Sequence, residues 1–220
     1  YAILPKFVAQ TRRIMSKQKV IICKNLNEDL DTAIQNCAHD KLFILVDKHT
    51  RELCLPLISG FDCLKNAHII TIGPEDIHKN LETLAYVWKE LGDQGATRHS
   101  LMINLGGGMV TDLGGFAAST FKRGFQYINI PTTLLAMVDA SVGGKTGINF
   151  NGLKNEIGVF SPAEYVLIDT EFLKSLDSHN ILSGYAEMLK HGIISTTEHW
   201  AELLNFDLNQ IDYKALQQLV

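Results

Sequence analysis

Short, continuous apolar runs recur along the chain: Val20–Cys23, Leu42–Val46, His68–Ile72, Leu101–Leu105, Tyr127–Ile130 and Tyr165–Ile168. They are rich in β-branched residues, and most do not alternate between apolar and polar. That pattern predicts strands covered on both faces, as in a parallel sheet. Between several runs the apolar period lengthens to that of a helix. Leu81, Leu84, Trp88 and Leu91 share one face of a helix predicted over Lys79–Leu91, with Gly92 as its stop. A weaker helix is predicted over Asp29–Cys37. Alternating strands and helices imply an α/β domain, placed at residues 1–169. Beyond Asp169 no further strand run occurs. Glu171–Leu176, Ile181–Ser195, Trp200–Phe206 and Tyr213–Val220 all read as helices, the beginning of a helical domain over residues 170–220. The last of these presents Leu216 and Val220 with nothing behind them to cover it, so a fragment of a longer protein is expected. The chain opens on Tyr1, and a trimmed start is expected as well.

Composition narrows the function classes. The chain has 220 residues, 46% of them hydrophobic and 20% charged, enough apolar material for a full core. A net charge of −4 with no basic stripe argues against nucleic acid as a partner. No apolar run reaches the ~20 residues that cross a bilayer, and the N-terminus lacks a signal-peptide pattern, so no membrane partner is expected. Cys23, Cys37, Cys54 and Cys63 form no C-x-x-C pair and read as reduced thiols of a cytoplasmic protein.

Four segments carry candidate chemistry. The first, Gly106-Gly107-Gly108, lies between a strand and an apolar helix. Backbone without Cβ atoms can approach a ligand closely, and the free N–H groups of a helix start favour anions. A tight turn with no ligand is the alternative. In the second, Thr132 and Thr133 follow a strand, where their hydroxyls either meet a ligand or cap a helix. Asp139 lies in an otherwise apolar helix and needs a partner. Lys145, in the Gly143–Gly147 turn, is either that partner or a phosphate contact; the spacing is not that of a P-loop. The third segment sets Lys154 and Asn155 in a Gly-bounded loop, Gly152–Gly158, typical of ligand contacts and of solvated turns alike. The fourth places Glu187, Lys190 and His191 on one helix face, as a surface ion pair or as a metal ligand with a substrate contact.

Taken in order, GGGMVTDLGGFAASTFKRG (Gly106–Gly124), IPTTLLAMVDASVGGKTGIN (Ile130–Asn149), KNEIGVF (Lys154–Phe160) and GYAEMLKHG (Gly184–Gly192) resemble the 3-dehydroquinate synthases. The resemblance implies a Rossmann-like, mostly parallel sheet domain that holds NAD, followed by a helical domain that holds zinc or cobalt. It implies conversion of a sugar phosphate, 3-deoxy-D-arabino-heptulosonate 7-phosphate, to 3-dehydroquinate by transient oxidation, phosphate elimination, re-reduction and an intramolecular aldol closure. A homodimer accords with the family. NAD contacts would fall on Asp47, Lys79, Gly107, Gly108, Met109, Asp112, Thr132, Thr133 and Lys154. An acid before Lys79 joins them, Asp76 or its neighbour Glu75. Lys145, Asn155 and Arg123 would hold the phosphate, Asp139 and Lys190 the ring hydroxyls or the carboxylate, and Glu187 the metal. The family's two metal-binding histidines have no counterpart here; neither His191 nor His199 matches them. Two other readings remain: another sugar-phosphate cyclase or polyol dehydrogenase, and, for these 220 residues alone, an NAD-binding module without activity.

Overall fold

The computed structural model describes residues 18–220. The readings of the chain's start, a trimmed Tyr1 and the lack of a signal peptide, lie outside the described residues. Six parallel strands form one sheet in the order β1-β8-β5-β4-β2-β3. These are β1 (Lys19–Ile22), β2 (Leu42–Asp47), β3 (His68–Ile72), β4 (Leu101–Gly106), β5 (Gln126–Pro131) and β8 (Tyr165–Ile168). Every residue of β2, β4 and β8 is buried, which explains their continuous apolar sequences. The helices are α1 (Leu26–Asn36), α2 (Lys48–Leu53), α3 (Leu81–Asp93), α4 (Gly108–Thr120), α5 (Ser178–Ile194), α6 (Thr197–Asn205) and α7 (Tyr213–Leu219). No helix among them is long and apolar enough to cross a membrane.

Chain order sets the place for a ligand. From β2 the chain moves outward to β3, then returns past β2 to β4 and continues the other way to β5. β2 and β4 are therefore adjacent strands with connections running in opposite directions. A crevice opens outside their carboxyl ends at such a switch point, and ligands of α/β sheets bind there. Asp47 ends β2 and Gly106 ends β4.

α4 lies very close to the sheet. A Cβ on Gly114 would stand 2.1 Å from Asn104 Oδ1 and 2.8 Å from Leu45 Cδ2. Asn104 is fully buried and its Nδ2 donates to Asn129 Oδ1, so it has no room to retreat. Gly114→Ala gains up to about 1 kcal/mol of helix propensity. Overpacking costs about 1–3 kcal/mol and more where neighbours cannot yield. A net loss of stability in urea denaturation is the expected result.

Several expectations need correction. Lys79 precedes α3 rather than opening it, because Asn80 is the N-cap and its side chain accepts from Thr83 N–H. Gly92 does not stop that helix, which runs on to Asp93; Gly95, at φ +68°, takes the left-handed turn beyond. Only Gly143, Gly144 and Gly152 keep the expected turn, at positive φ; Lys145–Gly147 and Leu153–Gly158 belong instead to an antiparallel hairpin, β6 (Lys145–Phe150) and β7 (Leu153–Phe160). Every residue of β7 is exposed, so burial left no alternation in its sequence. Thr170–Ser175 is 3-10 helix rather than α-helix. Asp139 lies in a π-helical turn, Ala136–Ala140. Leu216 is not bare: it is fully buried, and Gln217 Nε2 donates to Cys23 O at 2.6 Å, docking α7 on the end of β1.

Candidate active site

The amides at the start of α4 point into the crevice. Gly107 is its N-cap and offers no side-chain acceptor. The N-cap side chains of α1, α2, α3, α5, α6 and α7 all accept from their own first turns. The first N–H groups of α4 are thus left for another acceptor, and the positive end of the helix dipole favours an anion. A Cβ on Gly107 would meet Thr133 Cγ2 at 2.9 Å, and one on Gly108 would meet Ala140 Cβ at 3.1 Å. The glycines leave room that any other residue would fill.

All ten residues expected to contact the nucleotide line one cavity of about 640 Å³: Asp47, Asp76, Lys79, Gly107, Gly108, Met109, Asp112, Thr132, Thr133 and Lys154. They come from the ends of β2 and β4, the start of α4, the segments after β3 and β5, and, for Lys154, from β7 of the hairpin. Glu75 lines it as well, at φ +68°. Asp47 is a helix cap too: its Oδ1 accepts from Thr50 N–H at 2.8 Å. Thr133 caps a helix start, its Oγ1 accepting from Ala136 N–H at 3.2 Å, and it also lines the cavity. His49, Cys54, Ser175, Asp177, Asn180 and Ser183 also line this space and were not foreseen. Only the Asp177–Asn180 spacing carried a signal, that of the α5 cap, with Asn180 N–H donating to Asp177 Oδ1.

A second cavity of about 440 Å³ brings together Asp139, Lys145 and Asn155, with Asp112 in its wall. Asp112 lines both cavities. Its carboxylate accepts from Lys79 Nζ at 2.5 Å, and the same ammonium donates to Asn155 Oδ1. Asp139 and Lys145 form no ion pair; the buried pair is Lys79–Asp112. Burial pushes the Asp112 carboxyl above the usual range, and the Asp139 charge pushes the same way against the pull of Lys79 and Lys145. Asp76 also feels burial, but its 3.0 Å ion pair with Lys154 and the hydrogen bond from Asn149 outweigh it and hold its pKa below the ordinary value.

Lys190 and Glu187 are ion-paired on α5, and His191 Nε2 stands 3.4 Å from the same carboxylate. The bond to Glu187 raises the Lys190 pKa, and the Asp139 charge adds to it; Lys190 and Glu187 line neither of the two cavities. Among the described residues no group of three His, Cys, Asp or Glu stands where it could hold a metal. One carboxylate is not a zinc site. Arg123 does not join Lys145 and Asn155. It follows the far end of α4, about 20 Å from Gly108 at ~1.5 Å per residue, in a cavity with Arg98, His99 and Glu164.

A family model for the 3-dehydroquinate synthase N-terminal region matches residues 69–183. A 3-dehydroquinate synthase of Parabacteroides distasonis is 53% identical over 94% of this chain and 58% of its own length. One from Pyrococcus furiosus is 45% identical over 70% of this chain and 46% of its own. This chain therefore spans less than two thirds of these relatives. Among solved structures, a 2-epi-5-epi-valiolone synthase from Streptomyces hygroscopicus with NAD+ and Zn2+ bound superposes with a TM-score of 0.80. It is 29% identical, over 92% of this chain and 58% of that one. From motif order, sheet topology and these relatives together, the chain belongs to the 3-dehydroquinate synthase family.

Proposed function

We propose that the chain is the nucleotide-binding portion of a 3-dehydroquinate synthase. In this reading it converts 3-deoxy-D-arabino-heptulosonate 7-phosphate to 3-dehydroquinate and phosphate. One observation carries the reading: an uncapped, glycine-led helix start at the sheet's switch point opens into one cavity, and a second cavity holding Lys145, Asp139 and Asn155 adjoins it through Asp112. The larger cavity suits NAD+. Bare amides of Gly108 and Met109 match a diphosphate, and acids at Asp47 and Asp76 match ribose hydroxyls. Thr132, Thr133, Lys79 and Lys154 complete its polar wall. When bound there, NAD+ supplies reversible hydride acceptance.

The chain's own residues position and polarise. Lys145 supplies an ammonium for the substrate phosphate, with Asn155 as a neutral hydrogen-bonding neighbour. Asp139 accepts from substrate hydroxyls, and Lys190 donates to a hydroxyl or the carboxylate. Glu187 offers one carboxylate to zinc or cobalt; the solved 2-epi-5-epi-valiolone synthase has Zn2+ bound. The described residues do not complete a metal site.

Titration calorimetry with NAD+ tests the nucleotide site; an absence of binding at millimolar NAD+ would end the reading. Lys145→Ala tests the substrate assignment. A charge-assisted hydrogen bond contributes about 1.5–3 kcal/mol. With the heptulosonate phosphate as substrate, kcat/KM measured by phosphate release should therefore fall by roughly 10- to 100-fold. Unchanged turnover would remove Lys145 from the phosphate. A polyol dehydrogenase would accumulate NADH during turnover, whereas the synthase would not.

A further inference from the structure

Asn149, in β6, bonds to both sides of the wall between the two cavities. Its backbone N–H donates to Lys79 O at 2.8 Å. Its Nδ2 donates to Asp76 Oδ2 at 3.1 Å and to Asp76 O at 3.3 Å. Its Oδ1 accepts from Asn155 N–H at 3.0 Å. Asp76 and Lys79 line the larger cavity and Asn155 the smaller, while Asn149 lines neither. One carboxamide therefore spends its donor end on the nucleotide side and its acceptor end on the substrate side.

Asn155 needs such a hold. It stands at φ +57°, in the left-handed region that asparagine enters more readily than most side-chain residues, so its backbone alone does not fix one position. β7 is exposed along its whole length, so little apolar packing fixes this part of the hairpin. Polar bonds set the position instead: Asn155 N–H to Asn149 and Lys79 Nζ to Asn155 Oδ1. Both lead back to the Asp76–Lys79 segment.

We propose that Asn149 is a positioning residue that couples the cavities: a nucleotide that orders the Asp76–Lys79 segment thereby fixes Asn155 and its hairpin for the second ligand. This inference rests on the larger cavity being the nucleotide site. Coupling of this kind is reciprocal, so a ligand on Asn155 tightens nucleotide binding by the same factor.

Hydrogen exchange followed by mass spectrometry, with and without NAD+, tests it in the wild type, Asn149→Ala and Asn149→Asp. The Asp variant keeps the acceptor for Asn155 N–H but loses the donor and sets a second carboxylate against Asp76. It keeps the side chain's shape, so it remains informative where the Ala variant fails to fold. At NAD+ about 100 times its Kd, mass action allows protection up to roughly 100-fold. The wild type should show at least about tenfold slower exchange both at the start of α4 and across the hairpin. In a folded variant the α4 protection should persist and the hairpin protection should fall severalfold below that of the wild type, the remainder coming through the bonds from Lys79 to the Asn149 backbone and to Asn155 Oδ1. A merely structural role would raise hairpin exchange equally with and without NAD+ and leave the ratio unmoved. Hairpin protection retained at the wild-type level in every folded variant, or absent from a wild type protected at α4, overturns the coupling alone. No protection at α4 overturns the nucleotide site and the coupling together.

Discussion

Lys79→Met is expected to destabilise the protein by about 3–5 kcal/mol, the usual cost of removing one partner of a buried ion pair. The Lys79 side chain is 5% exposed and that of Asp112 19%, with 2.5 Å between nitrogen and oxygen. Without the ammonium, the Asp112 carboxylate keeps its burial and its repulsion from Asp139 and loses its main compensation. Asn155 Oδ1 loses a donor in the same step. The double variant Lys79→Met/Asp112→Leu should recover most of the loss, because removing both charges leaves nothing uncompensated. Urea denaturation of the two variants at neutral pH makes the comparison. A single-variant loss below about 1 kcal/mol would show that solvent reaches the pair and screens it.

The pH dependence has a fixed sign. A carboxyl whose folded pKa stands above its unfolded value binds more protons when folded, so falling pH favours the folded state. Burial already raises Asp112, and losing Lys79 raises it further. The deficit of Lys79→Met relative to the wild type should therefore be full above the raised folded pKa of Asp112. It should shrink as pH falls through that pKa towards the unfolded carboxyl range. A deficit that grows on acidification would contradict this account.

Gly107→Val should weaken NAD+ binding by about 100-fold, equivalent to about 2.7 kcal/mol. The Gly107 backbone, at φ −72° and ψ −172°, is open to any residue, so the effect is not one of strain. A Cβ there comes within 2.9 Å of Thr133 Cγ2, and the further methyls of valine crowd the cavity mouth over the α4 amides. Gly92→Ala provides the control. A Cβ at Gly92 meets nothing within 4 Å, and the change should leave NAD+ affinity alone while stabilising α3 by up to about 1 kcal/mol. Equal affinity of wild type and Gly107→Val in calorimetry would move the diphosphate away from this helix start.

Much of the fold, and the gathering of the expected residues on one cavity, was legible in the linear chain. Strands buried on both faces must be apolar throughout, so β2, β4 and β8 announced themselves. Glycines that open a helix after such a strand point to a close backbone approach. Asp47 ends a strand and Gly107 and Thr132 follow strand ends, and strand ends of a parallel sheet gather on one edge, so local readings converged on one cavity.

What lay beyond the sequence were relations between distant segments. The hairpin of β6 and β7 left no periodic trace because β7 buries nothing. Asp139 and Lys145, near neighbours in the chain, invited pairing, yet the ammonium beside the largely buried Asp112 carboxylate came from Lys79, 33 positions before it. Arg123 shares a motif with the glycines but stands a helix length away from them. Asn149 drew no notice, since its importance lies in bonds to Asp76, 73 positions away. Strand and helix patterns are written by each residue's own burial. Which charge meets which, and which cavity a side chain faces, is decided only when the sheet order brings those segments together.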